Sequence, residues 1–150
     1  MRVTFDSNIL LYTLSRDDPR HPAAAAFLAR ATRADCVQTL QSLAECFRVL
    51  TTKLRFEPRR ARQEIDGFRT AFPVCTADVT DLDQAMDAVA RHGLSFWDAM
   101  LWATASRAGC RMLFSEDLQD GRRLDDVLFV NPFAPGNRKL VDLALPELPR

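Results

Sequence analysis

Short β-type runs alternate with longer helical runs, and this order constrains the fold of the chain more than any other feature. The segment 40–54, for example, carries apolar side chains at positions i, i+4, i+7 and i+11, as one face of a helix does. Strands are predicted at 2–5, 35–39, 73–76, 111–114 and 127–130, and helices at 9–14, 23–32, 40–54, 58–71, 78–91 and 95–108. This alternation is typical of right-handed βαβ units. The sequence therefore predicts an α/β fold, a three-layer α/β/α arrangement with a central parallel sheet of about five strands.

Composition and length favour one globular domain. The chain has 150 residues, of which 47% are hydrophobic and 27% charged, values typical of a packed domain. Residues 1–133 are expected to form this domain and 134–150 a C-terminal tail, because prolines and a glycine follow Phe133. No apolar run approaches the roughly 20 residues of a membrane span, and Asp6 comes too early for a signal peptide. We expect a cytoplasmic protein with no membrane partner and reduced cysteines.

Four acidic residues stand where ligands bind in α/β proteins. Asp6 directly follows the first strand and Asp117 follows the fourth, and ligands of open α/β sheets bind at the carboxyl ends of strands. Glu45 and Asp98 fall early in predicted helices, where the helix dipole favours a carboxylate. If the four converge, either their pKa values rise or a cation lies among them, and acidic oxygen ligands suit a hard divalent ion, Mg²⁺ or Mn²⁺.

Each acid except the first also has a plain structural interpretation. Asp98 completes a capping-box pattern with Ser95. Glu45 points away from the apolar stripe of its helix, as a solvated acid would, and it also completes a capping-box pattern with Ser42. Asp117 lies in an acid-rich segment that is typical of a polar loop. From the residues alone these alternatives stay open.

The motifs that contain these acids resemble those of the PIN-domain nucleases, and among them the VapC-type toxins. They are V-T-F-D-S-N-I-L-L at 3–11, S-L-A-E-C-F-R-V-L at 42–50, S-F-W-D-A-M-L-W-A-T-A at 95–105, L-F-S-E-D-L-Q-D-G at 113–121 and F-V-N-P-F at 129–133. The resemblance implies that Asp6, Asp98 and Asp117 bind metal and that Glu45 assists. It also implies that Asn8 and Ser115 support the site through hydrogen bonds. Which other acid after the fourth strand contacts metal is left open, because Glu116 and Asp120 flank Asp117.

The function implied by the resemblance is a Mg²⁺- or Mn²⁺-dependent ribonuclease, the toxin of a type II toxin–antitoxin pair. One alternative is a haloacid-dehalogenase-like phosphatase, whose first strand also ends in Asp; residue 8 is Asn here rather than a second Asp, which argues against it. The other alternative is a PIN-like module that binds RNA or protein without cutting. The complete set of acids argues against that.

The chain is neutral overall, but its bases are unevenly placed. Twenty Lys and Arg balance 20 Asp and Glu, yet bases outnumber acids between residues 48 and 69. Candidate RNA contacts in this segment are Arg48, Arg55, Arg59 and Arg60. The same bases could form a solvated helix face or receive an acidic segment of a protein partner.

Two protein partners are expected. The resemblance implies a small antitoxin, which would insert an apolar anchor between the helices 40–54 and 59–71 and direct an Arg or Lys at Asp6 and Asp98. A homodimer is expected because two-fold pairs are the commonest soluble assembly.

In the helix 78–91, Leu82, Ala85, Met86 and Val89 are predicted to face the core.

Overall fold

A computed structural model describes residues 1–147. The strands are β1 (Val3–Phe5), β2 (Gln38–Thr39), β3 (Val74–Cys75), β4 (Met112–Phe114), β5 (Arg123–Leu124) and β6 (Val127–Val130). The helices are α1 (Ser7–Leu14), α2 (His21–Ala31), α3 (Leu40–Thr52), α4 (Pro58–Ala71), α5 (Val79–His92), α6 (Phe96–Arg107) and α7 (Arg138–Ala144), the last preceded by a 3₁₀ turn at Pro135–Asn137. The predicted α/β class is confirmed.

The central sheet has four strands in the order β1-β4-β6-β5, and its β1-β4 and β4-β6 pairs are parallel. A parallel pair of β2 and β3 lies beside it, joined to β1 by a bridge between Val3 and Cys36. Strands β2 and β3 therefore lie beyond β1, and strands β6 and β5 lie beyond β4, so the strand order reverses between β1 and β4. Such a reversal opens a crevice at the carboxyl ends of the two strands.

The strands differ from the predicted ones at the edges. The second and third predicted strands shorten to two residues each, so they form a side pair instead of full members of the central sheet. The antiparallel strand β5 was not predicted. It arises because Asp125, with φ 47°, forms a tight turn with Asp126 into β6, and Asp tolerates this left-handed conformation better than most residues.

Helices cover both faces of the sheet, as three layers require. One apolar core lies between the sheet and α1, α2, α3, α4 and α7, and the other lies under α5 and α6. In the first core the rings of Phe5 and Phe114 both pack edge-on against Phe27. Leu145, in the predicted tail, is fully buried there. The last residues of that tail, 148–150, lie outside the described range.

The orientation predicted for α5 is wrong. Ala85 is buried, but Leu82, Met86 and Val89 are 38%, 51% and 39% exposed. The helix instead packs on α6 through Ala85, Ala88 and the buried Asp81, which pairs with Arg107 at 2.9 Å. An apolar stripe on α5 is thus left facing outward.

No helix between residues 1 and 147 combines the length and the apolar character needed to cross a bilayer.

Candidate functional site

The ends of β1 and β4 bring two predicted site residues into direct contact. The Asp6 amide donates to the Phe114 carbonyl at 2.9 Å, which carries the parallel pairing one residue past the strands. The Ser115 hydroxyl then donates to Asp6 Oδ2 at 3.1 Å. Both side chains are buried, with exposed fractions of 7% for Asp6 and 1% for Ser115. The crevice between these strands therefore contains a buried carboxylate.

Asp6 also caps α1, and this role leads to Glu45. Its Oδ1 accepts from the Ser7 amide at 2.7 Å, as an N-cap side chain does. The Ser7 hydroxyl lies 3.4 Å from that same oxygen and 3.2 Å from Glu45 Oε2. One hydroxyl thus links the first strand's carboxylate to the carboxylate of α3.

Asp117 joins the site from the other side. Its amide donates to the Ser115 hydroxyl at 3.1 Å, and its Oδ2 accepts from Asn8 Nδ2 at 3.2 Å. Asn8 Oδ1 is buried and, within residues 1–147, accepts no hydrogen bond. Because a buried amide oxygen without a donor is unfavourable, it marks a place for a ligand or a water molecule.

The electrostatics of the cluster are those of crowded carboxylates. The pKa of Asp6 is raised from 3.8 to about 6, chiefly by burial and also by the negative charges of Glu45 and Asp117, while the hydrogen bonds from Ser7 and Ser115 act to lower it. Burial and the nearby negative charges therefore disfavour the ionised form of Asp6. A bound cation would remove this repulsion.

Asp98 lies in the first turn of α6 and is half-buried. The predicted capping box with Ser95 is wrong, since the Ser95 side chain makes no capping hydrogen bond. Gln41 links the acid cluster to this turn. Its side-chain nitrogen donates to Glu45 Oε1 at 3.3 Å and to the carbonyl oxygen of Trp97 at 2.9 Å. Among residues 1–147, no hydrogen bond joins the Asp98 carboxylate to the other three acids.

The second capping interpretation, for Glu45, is also resolved. Helix α3 is capped by Thr39, whose hydroxyl accepts from the Ser42 amide at 3.1 Å. Glu45 therefore has no capping role, and its side chain turns to Ser7 and Gln41.

The acids that flank Asp117 are bound elsewhere. Glu116 accepts from the Tyr12 hydroxyl and pairs with Arg20 at 2.8 Å. Asp120 accepts from the amide of Asn131 at 2.8 Å and from the side chain of Asn137. Asp117 is therefore the acid of this loop that takes part in the cluster.

The predicted RNA-contacting arginines separate into two groups. Arg48 is exposed one turn after Glu45, and both residues line a groove between the starts of α3 and α6. Arg55, Arg59 and Arg60 lie past the end of α3, which continues about 10 Å beyond Glu45 at 1.5 Å per residue. Arg60 stacks on the Phe56 ring, with its guanidinium carbon 4.3 Å from the ring centroid.

Two linking residues, Ser7 and Gln41, were missed by the sequence reasoning. Ser7 follows Asp6 directly, and Gln41 precedes Glu45 by one helical turn, so adjacency to a predicted ligand was the available signal. Their partners belong to elements distant in sequence, and pairing between α1 and α3 could not be read from the local pattern.

The carboxylates of this crevice offer oxygen atoms as metal ligands, and oxygen ligands suit Mg²⁺ or Mn²⁺. Nevertheless, no group of three or more His, Cys, Asp or Glu side chains among the described residues forms a closed metal-binding cluster. The acids converge without completing a coordination shell.

Known proteins resemble this chain in sequence pattern and in fold. A sequence model described as the PIN domain matches residues 3–126. No curated protein matches the chain significantly.

Solved structures share the fold at low sequence identity. They include the VapC20 toxin of Mycobacterium tuberculosis, described as cleaving the sarcin–ricin loop (21% identity, TM-score 0.61, covering 74% of this chain and 86% of that one). A toxin–antitoxin complex from Klebsiella pneumoniae matches with 18% identity, TM-score 0.63 and coverage of 87% and 98%. A DNA-bound VapBC complex from Salmonella typhimurium matches with 17% identity and a TM-score of 0.62, covering 86% of this chain and 96% of that one. At these identities the likeness is one of fold.

Proposed function

Because this chain belongs to the PIN-domain family, we propose that it is a divalent-metal-dependent endoribonuclease, the toxin of a type II toxin–antitoxin pair. The observation that carries the proposal is the convergence of Asp6, Glu45 and Asp117 at the crevice between β1 and β4. An RNA phosphodiester is a substrate class that such an acid-rich, cation-binding crevice suits.

The residues present fit Mg²⁺ or Mn²⁺. The acids of the site offer oxygen ligands, the pKa of Asp6 is raised by burial and by neighbouring negative charge, both of which a bound cation would offset, and Asn8 Oδ1 accepts no hydrogen bond within residues 1–147. Asp6, Asp98 and Asp117 would hold the ion, with Glu45 assisting. When bound, it would neutralise the carboxylates and polarise both water and the scissile phosphate.

The protein's own groups act by orientation. The Ser115 hydroxyl donates a hydrogen bond to the Asp6 carboxylate and accepts one from the Asp117 amide, so it holds both residues in place. Asn8 fixes the Asp117 side chain, and Ser7 ties Asp6 to Glu45. These bonds hold the carboxylates in place before substrate arrives, which lowers the reorganisation that catalysis requires. Arg48, at the mouth of the site, would bind the RNA backbone.

The alternative functions have less support. A haloacid-dehalogenase-like phosphatase would need a second acid two residues after Asp6; that position is Asn8, whose amide is bonded to Asp117. A non-catalytic module would have no reason to keep a buried carboxylate with two others beside it, because that arrangement destabilises the fold.

A cleavage assay separates the three functions. Purified protein should cleave a fluorogenic single-stranded RNA in Mg²⁺ or Mn²⁺, stop in EDTA, and leave a generic phosphatase substrate intact. Phosphatase activity would favour the dehalogenase-like alternative. RNA binding without cleavage in either metal would favour the non-catalytic one.

The proposed protein partner is a small antitoxin. Solved structures with this fold include toxin–antitoxin complexes. Between α3 and α4 lies a groove of about 890 Å³ whose walls include Leu43, Phe47 and Ile65, with Arg69 at its side. An apolar anchor would bind here, and a neighbouring Arg or Lys of the antitoxin would reach Asp6 and Asp98.

Expression with and without the neighbouring reading frame tests the partner. The chain alone should arrest growth of its host, and the neighbouring small protein should relieve the arrest and co-purify. Harmless expression at high level with no co-purifying protein would contradict the toxin role even if nuclease activity remained.

We further propose that the chain forms a homodimer through α5 and acts in the cytoplasm, where its RNA substrates are. Support for the dimer comes from the outward apolar stripe Val79, Leu82, Met86 and Val89, because contiguous exposed apolar side chains mark interaction surfaces.

A further inference from the structure

A second groove begins at the acid cluster. It has a volume of about 670 Å³ and runs between the start of α3 and the first turn of α6. The residues that line it are Thr39, Leu40, Gln41, Ala44, Glu45, Arg48, Thr76, Ala77, Trp97 and Thr104. Glu45 belongs both to this groove and to the cluster with Asp6, so whatever occupies the groove lies next to the candidate reaction site.

An exposed aromatic side chain forms part of the wall. The Trp97 side chain is 61% exposed, although indoles are usually largely buried. Phe96 packs edge-on against the indole, with ring centroids 5.0 Å apart, and Gln41 binds the Trp97 carbonyl at 2.9 Å. The indole is therefore anchored at its backbone and supported on one edge, while much of its surface stays free.

The opposite wall of the groove, helix α3, carries the positively charged Arg48. Gln41, Glu45 and Arg48 occupy positions i, i+4 and i+7 of α3, so they lie along one face of that helix. Arg48 is exposed and, within residues 1–147, makes no salt bridge. The groove thus combines a flat aromatic surface with an unpaired guanidinium, beside a site that carries negative charge.

We propose that this groove is a nucleotide subsite, in which Trp97 stacks on an unpaired base of single-stranded RNA and Arg48 binds an adjacent phosphate. The assignment rests on the proposed function and names the form of RNA that the site takes. Aromatic stacking with a neighbouring cation is how proteins hold single strands without reading their sequence. Bases of an RNA duplex are already stacked, so the subsite selects unpaired loops and ends.

RNA suits the groove better than a protein anchor does. Most of the lining of this groove is apolar, which suits the face of a base, and its wall also carries the unpaired guanidinium of Arg48, which a phosphate would bind and an apolar protein anchor would not use. An exposed indole near a guanidinium matches the alternation of base and phosphate in a nucleic acid strand.

The test measures binding of a fluorescein-labelled, mixed-sequence, eight-nucleotide single-stranded RNA in EDTA, where the RNA stays intact. Trp97→Ala should weaken binding by about 5- to 150-fold, the range of one lost base stack. Trp97→Phe should stay within about 3-fold of wild type, because it keeps an aromatic face. Leu143→Ala removes a similarly exposed apolar side chain, 67% exposed on α7, and should have no effect.

Two further readouts distinguish stacking from a structural role. Bound RNA should quench the fluorescence of Trp97, while the buried Trp102 remains unquenched, so the quenching should disappear in Trp97→Phe although binding persists. Arg48→Ala should lower the affinity and reduce the slope of log affinity against log salt by about 0.7, the value for one phosphate contact on a single strand. In cleavage, Trp97→Ala should raise KM with little change in kcat.

The outcomes separate the subsite from the nuclease activity. If the wild type cleaves RNA and Trp97→Ala binds it normally, the subsite is overturned and the proposed function stands. If no RNA is cleaved but binding depends on Trp97, the proposed function fails and the subsite stands. Loss of affinity that accompanies a change in oligomeric state would overturn the subsite and make Trp97 a protein contact instead.

Discussion

Asp6 is the residue whose environment is hardest to explain without a ligand. It is buried, it faces Glu45 and Asp117, and its pKa is raised to about 6. A rise from 3.8 to about 6 corresponds to about 3 kcal/mol of unfavourable free energy in the ionised form. This cost supports the proposed role of Asp6 in binding a cation.

This environment predicts a pH dependence of stability in the absence of metal. The folded protein holds the Asp6 proton more tightly than the unfolded chain, so the free energy of unfolding should fall as pH rises from about 4 to about 6 and then level off. Asp6→Asn removes this loss and should raise Tm at pH 7.5 by about 6–12 °C, with no gain below pH 4. Calorimetry in EDTA across this pH range checks the sign.

Added Mn²⁺ provides the control for that experiment. It should raise Tm of the wild type and leave the Asp6→Asn variant nearly unchanged, because a ligand that binds only the folded state stabilises it. A variant less stable than wild type at pH 7.5 in EDTA would contradict the conclusion that the ionised Asp6 side chain is unfavourable in the folded protein.

Glu45 is the residue for which local pattern and fold disagree. Its position on the helix predicts a solvated acid, but the contact with Ser7 brings it to the site. Glu45→Gln should lower metal-dependent cleavage by about 10-fold or more, since it removes one charge from the cluster. Glu57→Gln, an exposed acid whose side chain caps no helix end, is the matched control. A Glu45→Gln variant with wild-type rate and metal affinity would restore the solvated interpretation.

How much of the site the sequence can predict depends on where a residue lies. Asp6, Ser115 and Asp117 follow strands of a parallel sheet, so topology alone brings them to one edge. Asn8 follows within the same segment. Glu45 and Gln41 come from a helix whose rotation is decided by packing, and a local pattern does not contain that rotation.

At the scale of elements, capping separates structural from functional acids. Asp78 and Asp81 form a capping box at α5, which accounts for both carboxylates. At α6 the expected box is missing, because the Ser95 side chain makes no capping bond. Sequence patterns predict both helix starts equally well, and only the structure distinguishes the acid that serves a cap from Asp98.

Helix α5 carries the prediction about assembly. Its apolar side chains were predicted to be inward, but the small residues Ala85 and Ala88 fill the α6 contact and leave Met86 outside. Met86→Asp should convert a dimer to a monomer without loss of secondary structure, because the side chain is exposed in the single chain. Size-exclusion chromatography with light scattering gives the mass, and Leu143→Asp on α7 serves as control. A dimer that survives Met86→Asp would show that α5 is not the interface.

At the scale of the whole molecule, alternation of strands and helices predicts the architecture because parallel strands need helical crossovers. It does not predict which strands become edges. β2 and β3 contain two residues each, and β5 exists through one turn at Asp125; both depend on tertiary contacts. The location of the site does not depend on these edges, because the crevice is formed by the ends of β1 and β4, and both of those strands were predicted.

The central claim is that acids from the ends of β1 and β4 and the start of α6 form one metal-dependent nuclease site. The most direct measurement is cleavage of a fluorogenic single-stranded RNA in Mn²⁺ by the wild type, Asp6→Asn and Asp98→Asn, with the exposed Asp17→Asn as control. We predict cleavage by the wild type and the control, abolished by EDTA, and a loss of at least 100-fold (about 2.7 kcal/mol of transition-state stabilisation) in both site variants. Normal cleavage by either purified site variant would contradict the claim.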